Sequence, residues 1–292
     1  MKYCLLFLLA VITACAPADQ TITEAEAPTK ELRIVSLGGS LTELIYDLGY
    51  GDSIVGVDVT SVYPAAAKAK PKLGHVSQLN VEGMLELNPT VIFTDAETQD
   101  NPALQTLAEA GIEVVYVPLG ATLDNAAKAA DFLGKDLDLP PRKIDDYRKR
   151  IHADSMNLAA TLAQVQGPKP RVLFIYARGA NRIMVAGAET EAATMIELAG
   201  GENAITSFTD FKPLTPEALV EAKPDVILMF SSGLASLDGK EGLASVPGIS
   251  ATPAYQQDRV IAMDGLYLLG FGPRAAQAAN ELAGRLHPAQ TK

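Results

Sequence analysis

The residues able to bind a metal or an anion are scattered through this 292-residue chain. His75 stands in the run Gly74-His75-Val76-Ser77 and is one of 3 histidines, with His152 and His287. Neutral imidazole is a good ligand for transition metals, and it is equally an ordinary surface group. Tyr63, in a Ser-Val-Tyr-Pro turn, can ligate, line a pocket or simply pack. Tyr176, Arg178 and Arg182 follow an apolar strand, where a carboxyl-end loop faces a ligand. Lys212 and Arg274 can pair with carboxylates, although surface cations are common. Gly38-Gly39-Ser40 joins a strand to a helix start, which suits an anion or a tight turn. It has neither the glycine spacing nor the lysine of a nucleotide loop.

Signatures of catalysis are absent. There is no Gly-x-Ser-x-Gly, no His-Glu-x-x-His, and the 2 cysteines are Cys4 and Cys15. A disulfide framework or a cysteine metal site is excluded beyond residue 15. The net charge of −11 opposes a nucleic-acid partner, which needs a basic surface.

The elements that must position these side chains alternate. Arg33 to Leu37 reads as a strand, Ser40 to Leu48 as a helix stopped by Gly49, and Ile54 to Val57 as a strand. Helix Val81 to Leu87 precedes strand Thr90 to Phe93. Helix Pro102 to Ala110 precedes strand Ile112 to Val117. The second half repeats the order. Strand Arg171 to Tyr176, helix Glu191 to Leu198, helix Pro216 to Ala222, strand Asp225 to Phe230, strand Arg259 to Met263 and helix Pro273 to Leu286 follow in turn. Such alternation predicts an α/β fold of two similar lobes, each a parallel sheet covered by helices. Residues 81–92 align without a gap on residues 216–227, matching both glutamate pairs, the proline and Val-Ile. Related lobes are the simplest account. Glu82 and Glu217 occupy equivalent places near two helix starts, where the helix dipole favours an acid.

Between the halves, Pro140-Pro141 opens a polar helix that Gly167-Pro168 ends. Ile144, Tyr147, Ile151, Leu158, Leu162 and Val165 share one face. About 25 helical residues reach roughly 37 Å, enough to join two lobes stiffly. Small opening motions are expected rather than wide hinge closure.

The chain starts with Lys2, an apolar run from Leu5 to Ile12, and Ile12-Thr13-Ala14-Cys15. The run suits a signal peptide and is too short to span a bilayer. The small-residue site before Cys15 resembles the bacterial lipobox, which acylates the cysteine. The expected organisation is a signal peptide at 1–14, a lipidated tether at 15–31, lobes at 32–139 and 168–292, and a connecting helix at 140–167.

Arg33-Ile-Val-Ser-Leu-Gly-Gly-Ser-Leu-Thr-Glu-Leu-Ile-Tyr-Asp-Leu-Gly49 resembles the opening of the helical-strut solute-binding proteins of haem, siderophore and vitamin B12 importers. Further segments are similar to the haem-binding branch. They include Thr60-Ser61-Val62-Tyr63-Pro64, Leu73-Gly74-His75-Val76-Ser77-Gln78-Leu79, Lys212-Pro213-Leu214 and Gly270-Phe271-Gly272-Pro273-Arg274. The resemblance implies a monomeric, non-enzymatic periplasmic or cell-surface protein, held to the membrane by its lipid alone. It implies haem lying edge-on in a cleft between the lobes and delivery to an ABC permease dimer. Cobalamin or an iron–siderophore is the alternative cargo, and a periplasmic hydrolase the remote one.

In that branch a tyrosine of a Gly-Tyr-x-Arg/Lys motif usually holds the iron. Here the place reads Gly74-His75-Val76-Ser77, which makes His75 the expected metal ligand. A histidine needs no neighbouring cation to lower its proton affinity, as a phenolate would. The resemblance makes Tyr63, Tyr176, Arg178, Arg182, Lys212 and Arg274 the expected haem contacts. Glu82 and Glu217 become the acids that meet permease arginines.

The Cys15→Ser substitution is expected to release the protein from the membrane fraction or block its maturation. Fractionation and immunoblotting read this, and a Cys15→Ser variant that matures normally and stays membrane-bound contradicts the lipobox reading.

Overall fold

The structure is a computed structural model, and it describes residues 31–288. The leader, Cys15 and the tether up to residue 30 lie outside the described residues. The first half runs β1 (Ile34–Ser36), α1 (Gly39–Asp47), β2 (Ile54–Val57), α2 (Ala65–Lys68), β3 (Gly74–His75), β4 (Gln78–Leu79), α3 (Val81–Glu86), β5 (Val91–Asp95), α4 (Pro102–Glu109), β6 (Glu113–Val117) and α5 (Asn125–Asp136). Then comes α6 (Pro141–Leu162), the long connecting helix. The second half runs β7 (Arg171–Ala177), β8 (Ile183–Ala186), α7 (Glu191–Leu198), β9 (Glu202–Asn203), β10 (Phe211–Pro213), α8 (Pro216–Ala222), β11 (Val226–Phe230), α9 (Ser231–Ala235), α10 (Gly239–Ala244), α11 (Pro253–Gln256), β12 (Val260–Met263), α12 (Gly265–Leu269) and α13 (Ala275–Leu286).

The first sheet has the order β2-β1-β5-β6 and is parallel throughout. Both its faces are covered, so β1 and β5 read as continuous apolar runs. One face packs on α1, α5 and the start of α6, through Leu41, Leu44, Ala129, Leu133 and Ile144. The other packs on α3 and α4 through Met84, Leu104 and Leu107.

The second sheet, of order β10-β8-β7-β11-β12, corrects the expectation of a purely parallel sheet. β8 runs antiparallel to β7, and β10 antiparallel to β8. After Ala177 the chain turns back at once: Arg178 N–H donates to Arg182 O at 2.9 Å, and Gly179 adopts φ +70°. A tight turn can return only an antiparallel neighbour; a parallel one needs a crossover.

The apolar stripe of α6 serves both cores. Ile144, Tyr147 and Ile151 join the first lobe's cluster, and Leu158 joins the second's. The helix ends at Leu162 rather than at Gly167, because the chain tightens to i→i−3 bonds from Gln164 to Thr161 and from Val165 to Leu162. The small residues Ala275, Ala278, Ala279 and Ala283 are buried on α13 beside it.

The lobes also meet through a buried ion pair. Arg274 donates from Nε to Glu43 Oε1 at 2.6 Å and from Nη2 to Glu43 Oε2 at 2.9 Å. Glu43 lies on α1 and is 4% exposed. Burial alone would lower the Arg274 pKa, but the hydrogen bonds and charge of Glu43 raise it above the usual value. Asn125 Nδ2 donates to Phe271 O at 3.0 Å beside this pair. Arg274→Ala would strand a buried carboxylate, at an expected cost of about 3–5 kcal/mol in denaturant unfolding. Replacing both partners, Glu43→Leu with Arg274→Met, is expected to be far milder. A single variant costing as little as the double would mean that the pair contributes nothing.

Candidate ligand-binding cleft

A cavity of about 580 Å³ lies between the lobes. Gly39, Ser40, Thr60 and Val62 line it from the first lobe; Phe230, Ser232, Asp264 and the α12 segment line it from the second. These residues follow the carboxyl ends of β1, β2, β11 and β12, where open α/β sheets bind ligands. Gly39 is required by close approach: a Cβ there would sit 2.6 Å from Thr60 O and 2.7 Å from a Leu266 methyl. The run Gly38-Gly39-Ser40 is therefore a tight junction at the cleft floor.

A buried polar network fixes the first lobe's wall. Asp58 Oδ1 accepts from Ser61 Oγ at 2.6 Å, and Oδ2 accepts from Thr60 Oγ1 at 2.5 Å. Gly39 N–H donates to Thr60 Oγ1 at 3.0 Å, while Thr42 bonds Ser36 and Ser61. An aspartate whose hydroxyl partners come two and three residues later holds its own loop in shape. Lys72 donates to Ser61 O and Ala67 O; its burial lowers its pKa, against the opposing charge of Asp58.

His75 sits on a small hairpin formed by β3 and β4, paired with Gln78. Gly74 has φ +92°, and a Cβ there would collide with the Gln78 carbonyl oxygen. Two outside contacts pin the hairpin. Val59 N–H donates to Gly74 O at 3.0 Å, and Asn101 Nδ2 donates to Val76 O at 2.6 Å. The first contact joins His75 to the loop that carries Thr60 and Val62. The exposed imidazole has Nδ1 at 2.9 Å from Ser77 Oγ, while Nε2 has no hydrogen-bond partner among the described residues.

In the second lobe, Tyr176 is half-buried at the carboxyl end of β7 and does not itself line the cavity. Its ring meets Phe230 edge-on at 6.0 Å, and Phe230 lines the cavity. Arg178 and Arg182 are exposed at the two ends of the hairpin turn that follows. Tyr63 is 43% exposed and stacks on the Arg274 guanidinium, 3.7 Å from the ring centroid, with Tyr267 also near it at 4.9 Å.

Arg274 holds Glu43 through Nε and Nη2. Lys212 is exposed on edge strand β10, with its ammonium 4.5 Å from the Phe208 ring centroid. His152 is exposed on α6, and His287 bonds Gly200 O at 3.2 Å. Sequence reasoning assigns no role to Glu43, Asp58 or Phe230, although Glu43 and Asp58 lie in segments that resemble the family; only the Asp58-x-Thr60-Ser61 spacing carries a local signal.

The internal repeat is geometric as well as textual. Asn80 and Thr215, one place before each repeat, cap α3 and α8 by accepting from Gly83 N–H and Ala218 N–H. Asn88 and Lys223 both adopt left-handed φ, 46° and 39°, before Pro89 and Pro224. Glu82 and Glu217 are exposed, and so are Leu85 and Val220 at matching positions.

The periplasmic binding protein family matches residues 34–266. Among solved structures, the periplasmic haem-binding protein RhuT of Roseiflexus sp. RS-1 in apo form is 37% identical with a TM-score of 0.84, covering 88% of this chain and 98% of its own. BhuT in complex with two haems is 35% identical with a TM-score of 0.81, over 87% and 97% of the chains. The haem-binding protein HmuT is 27% identical with a TM-score of 0.80, over 89% and 85%. Variants of it have been solved with alanine in place of a tyrosine, of an arginine two residues later, and of a histidine earlier in the chain. Among sequence relatives, the ABC transporter substrate-binding lipoprotein YvrC of Bacillus subtilis is 27% identical, over 95% of this chain and 86% of its own. The vitamin B12-binding protein of Pectobacterium atrosepticum is 26% identical, over 87% and 88%. The chain belongs to the periplasmic binding protein family.

Proposed function

We propose that this periplasmic binding protein captures haem outside the cytoplasmic membrane and hands it to an ABC importer permease. The observation that carries the reading is the inter-lobe cavity: Phe230, which lines it, meets the Tyr176 ring, and the Val59-Thr60 segment joins its other wall to the His75 hairpin. His75, with Nε2 open, stands on the first lobe's hairpin, and Tyr176 stands at the end of β7 in the second lobe. Arg178 follows Tyr176 by two residues, the spacing of the tyrosine and arginine replaced in HmuT. A cavity of about 580 Å³ suits one bulky ligand with apolar walls. His75 is the principal iron ligand in this reading, and Tyr176 the second. Arg178 and Arg182, exposed just after Tyr176, supply cations for the propionates. Its family binds and transports substrates, and the role here is transport rather than catalysis.

Delivery rests on the repeat. Glu82 and Glu217 stand at equivalent points of α3 and α8, each with an exposed apolar residue three places on, Leu85 or Val220. Residues three apart share a helix face. Two such faces suit a permease dimer with an arginine on each half. Lipid attachment through Cys15 would keep the protein near that permease; among the described residues no helix is long and apolar enough to cross a membrane.

Vitamin B12-binding relatives support a second cargo, cobalamin. Adding haemin separates the two. A Soret shift that saturates near one equivalent supports haem; no shift, with tight cobalamin binding, supports the alternative. His75→Ala is expected to abolish the native haem spectrum and weaken binding by at least about tenfold, while Tyr63→Phe changes it modestly. A wild-type Soret band in His75→Ala, with its loss in Tyr63→Phe, would move the iron to the earlier loop.

Reversing Glu82 and Glu217 to Lys together sets like charges against the permease, at a cost of several kcal/mol. Haem binding is expected to survive while transport into proteoliposomes carrying the permease is lost. Unchanged transport would reduce both glutamates to helix caps.

A further inference from the structure

We propose that Ser77 is the positioning residue that decides which nitrogen of His75 is free to bind iron. The inference rests on the reading of His75 as the ligand. The backbone of the hairpin is fixed from outside by Val59 and Asn101, so the imidazole is aimed by what its Nδ1 meets. Nδ1 meets two groups of the same residue, the Ser77 N–H at 3.3 Å and the Ser77 hydroxyl at 2.9 Å. The two differ in kind. A backbone N–H only donates, so its bond needs a lone pair on Nδ1. In neutral imidazole that puts the proton on Nε2 and removes the lone pair a metal needs.

The hydroxyl can accept as well as donate. When it accepts from Nδ1–H, Nε2 carries the lone pair and points out of the hairpin, ready for iron. Its contact is the shorter of the two, so the ligating form keeps the better bond and gives up the longer one. Metal-bound histidines generally need such an acceptor on the second nitrogen. Here the acceptor comes from within the same turn, with no carboxylate or backbone carbonyl on Nδ1 among the described residues. Without the hydroxyl only the N–H remains, and it favours the form that cannot ligate. Ser77 is more than the mark of a missing cation: a phenolate at position 75 would be served by a cation, and an imidazole is served by a hydroxyl.

The test uses haemin-loaded protein and two readouts, the rate of haem transfer to excess apomyoglobin and the ferrous iron–histidine stretching band in resonance Raman spectra. Ser77→Ala is expected to speed transfer by about tenfold and lower the band frequency. Ser77→Thr, which keeps the hydroxyl, is expected to restore both. Ser77→Asp, a stronger acceptor, is expected to raise the frequency above wild type. A residue that only shapes the turn cannot move the band in both directions. Wild-type transfer and band in Ser77→Ala, with His75→Ala defective, would overturn the role of Ser77 alone. If His75→Ala itself leaves transfer and spectrum unchanged, the ligation reading falls and the proposal with it.

Discussion

The bidentate pair between Glu43 and Arg274 is the constraint on which the cleft depends. It joins residues 231 positions apart, one on the first helix and one at the start of the last. A buried pair of this kind is seldom a large net source of stability. Its value is geometric, because a fork meeting a carboxylate fixes both distance and plane. Around it stand further inter-lobe contacts, among them Asn125 to Phe271 O and the close approach of Gly272 to Ser40. The same guanidinium holds the Tyr63 ring, so one cation sets the lobe spacing and the orientation of a side chain at the cleft mouth. The α6 helix, shared by both cores, supports this floor from behind.

The two lobes repeat one local plan and differ in their sheets. Helix α3 with strand β5, and helix α8 with strand β11, keep the same cap position, the same left-handed residue and the same proline. Their exposed positions also match, Glu82 and Leu85 with Glu217 and Val220. Inside, the first sheet is parallel, whereas the second returns through a tight hairpin after β7. That hairpin follows Tyr176 and carries Arg178 and Arg182 at the two ends of its turn. In the first lobe the Asp58 network and the His75 hairpin hold the loop that follows β2.

The periodic elements were legible because burial leaves a pattern. Strand Ile54–Val57 and helices Glu191–Leu198 and Pro216–Ala222 have the bounds that the sequence predicts. Helix α5 was missed, since its buried face is largely alanine and its composition reads as neutral. Strand β8 was missed because four residues after a turn are too few to show a period. His75 could be singled out only through its resemblance to a known motif, because exposure and hairpin pairing leave no sequence trace. Arg274 and Lys212 show the limit most plainly. A cation's partner is set by tertiary contact, and nothing near Arg274 in the chain announces Glu43. The pairing of Arg274 with Glu43 is thus a property of the fold and not of the local sequence.

A cleft set by fixed contacts should change little when it fills. The direct measurement is the distance between spin labels on cysteines introduced at Glu109 and Glu241, one exposed site in each lobe, with Cys4 and Cys15 replaced by serine. Pulsed electron–electron resonance would read it before and after one equivalent of haemin, with binding followed by absorbance. The account predicts one narrow distance distribution whose peak moves by less than about 2 Å. A broad distribution in the free protein, or a shift well beyond that on loading, would contradict a preformed cleft and would mean that the ion pair does not hold the lobes.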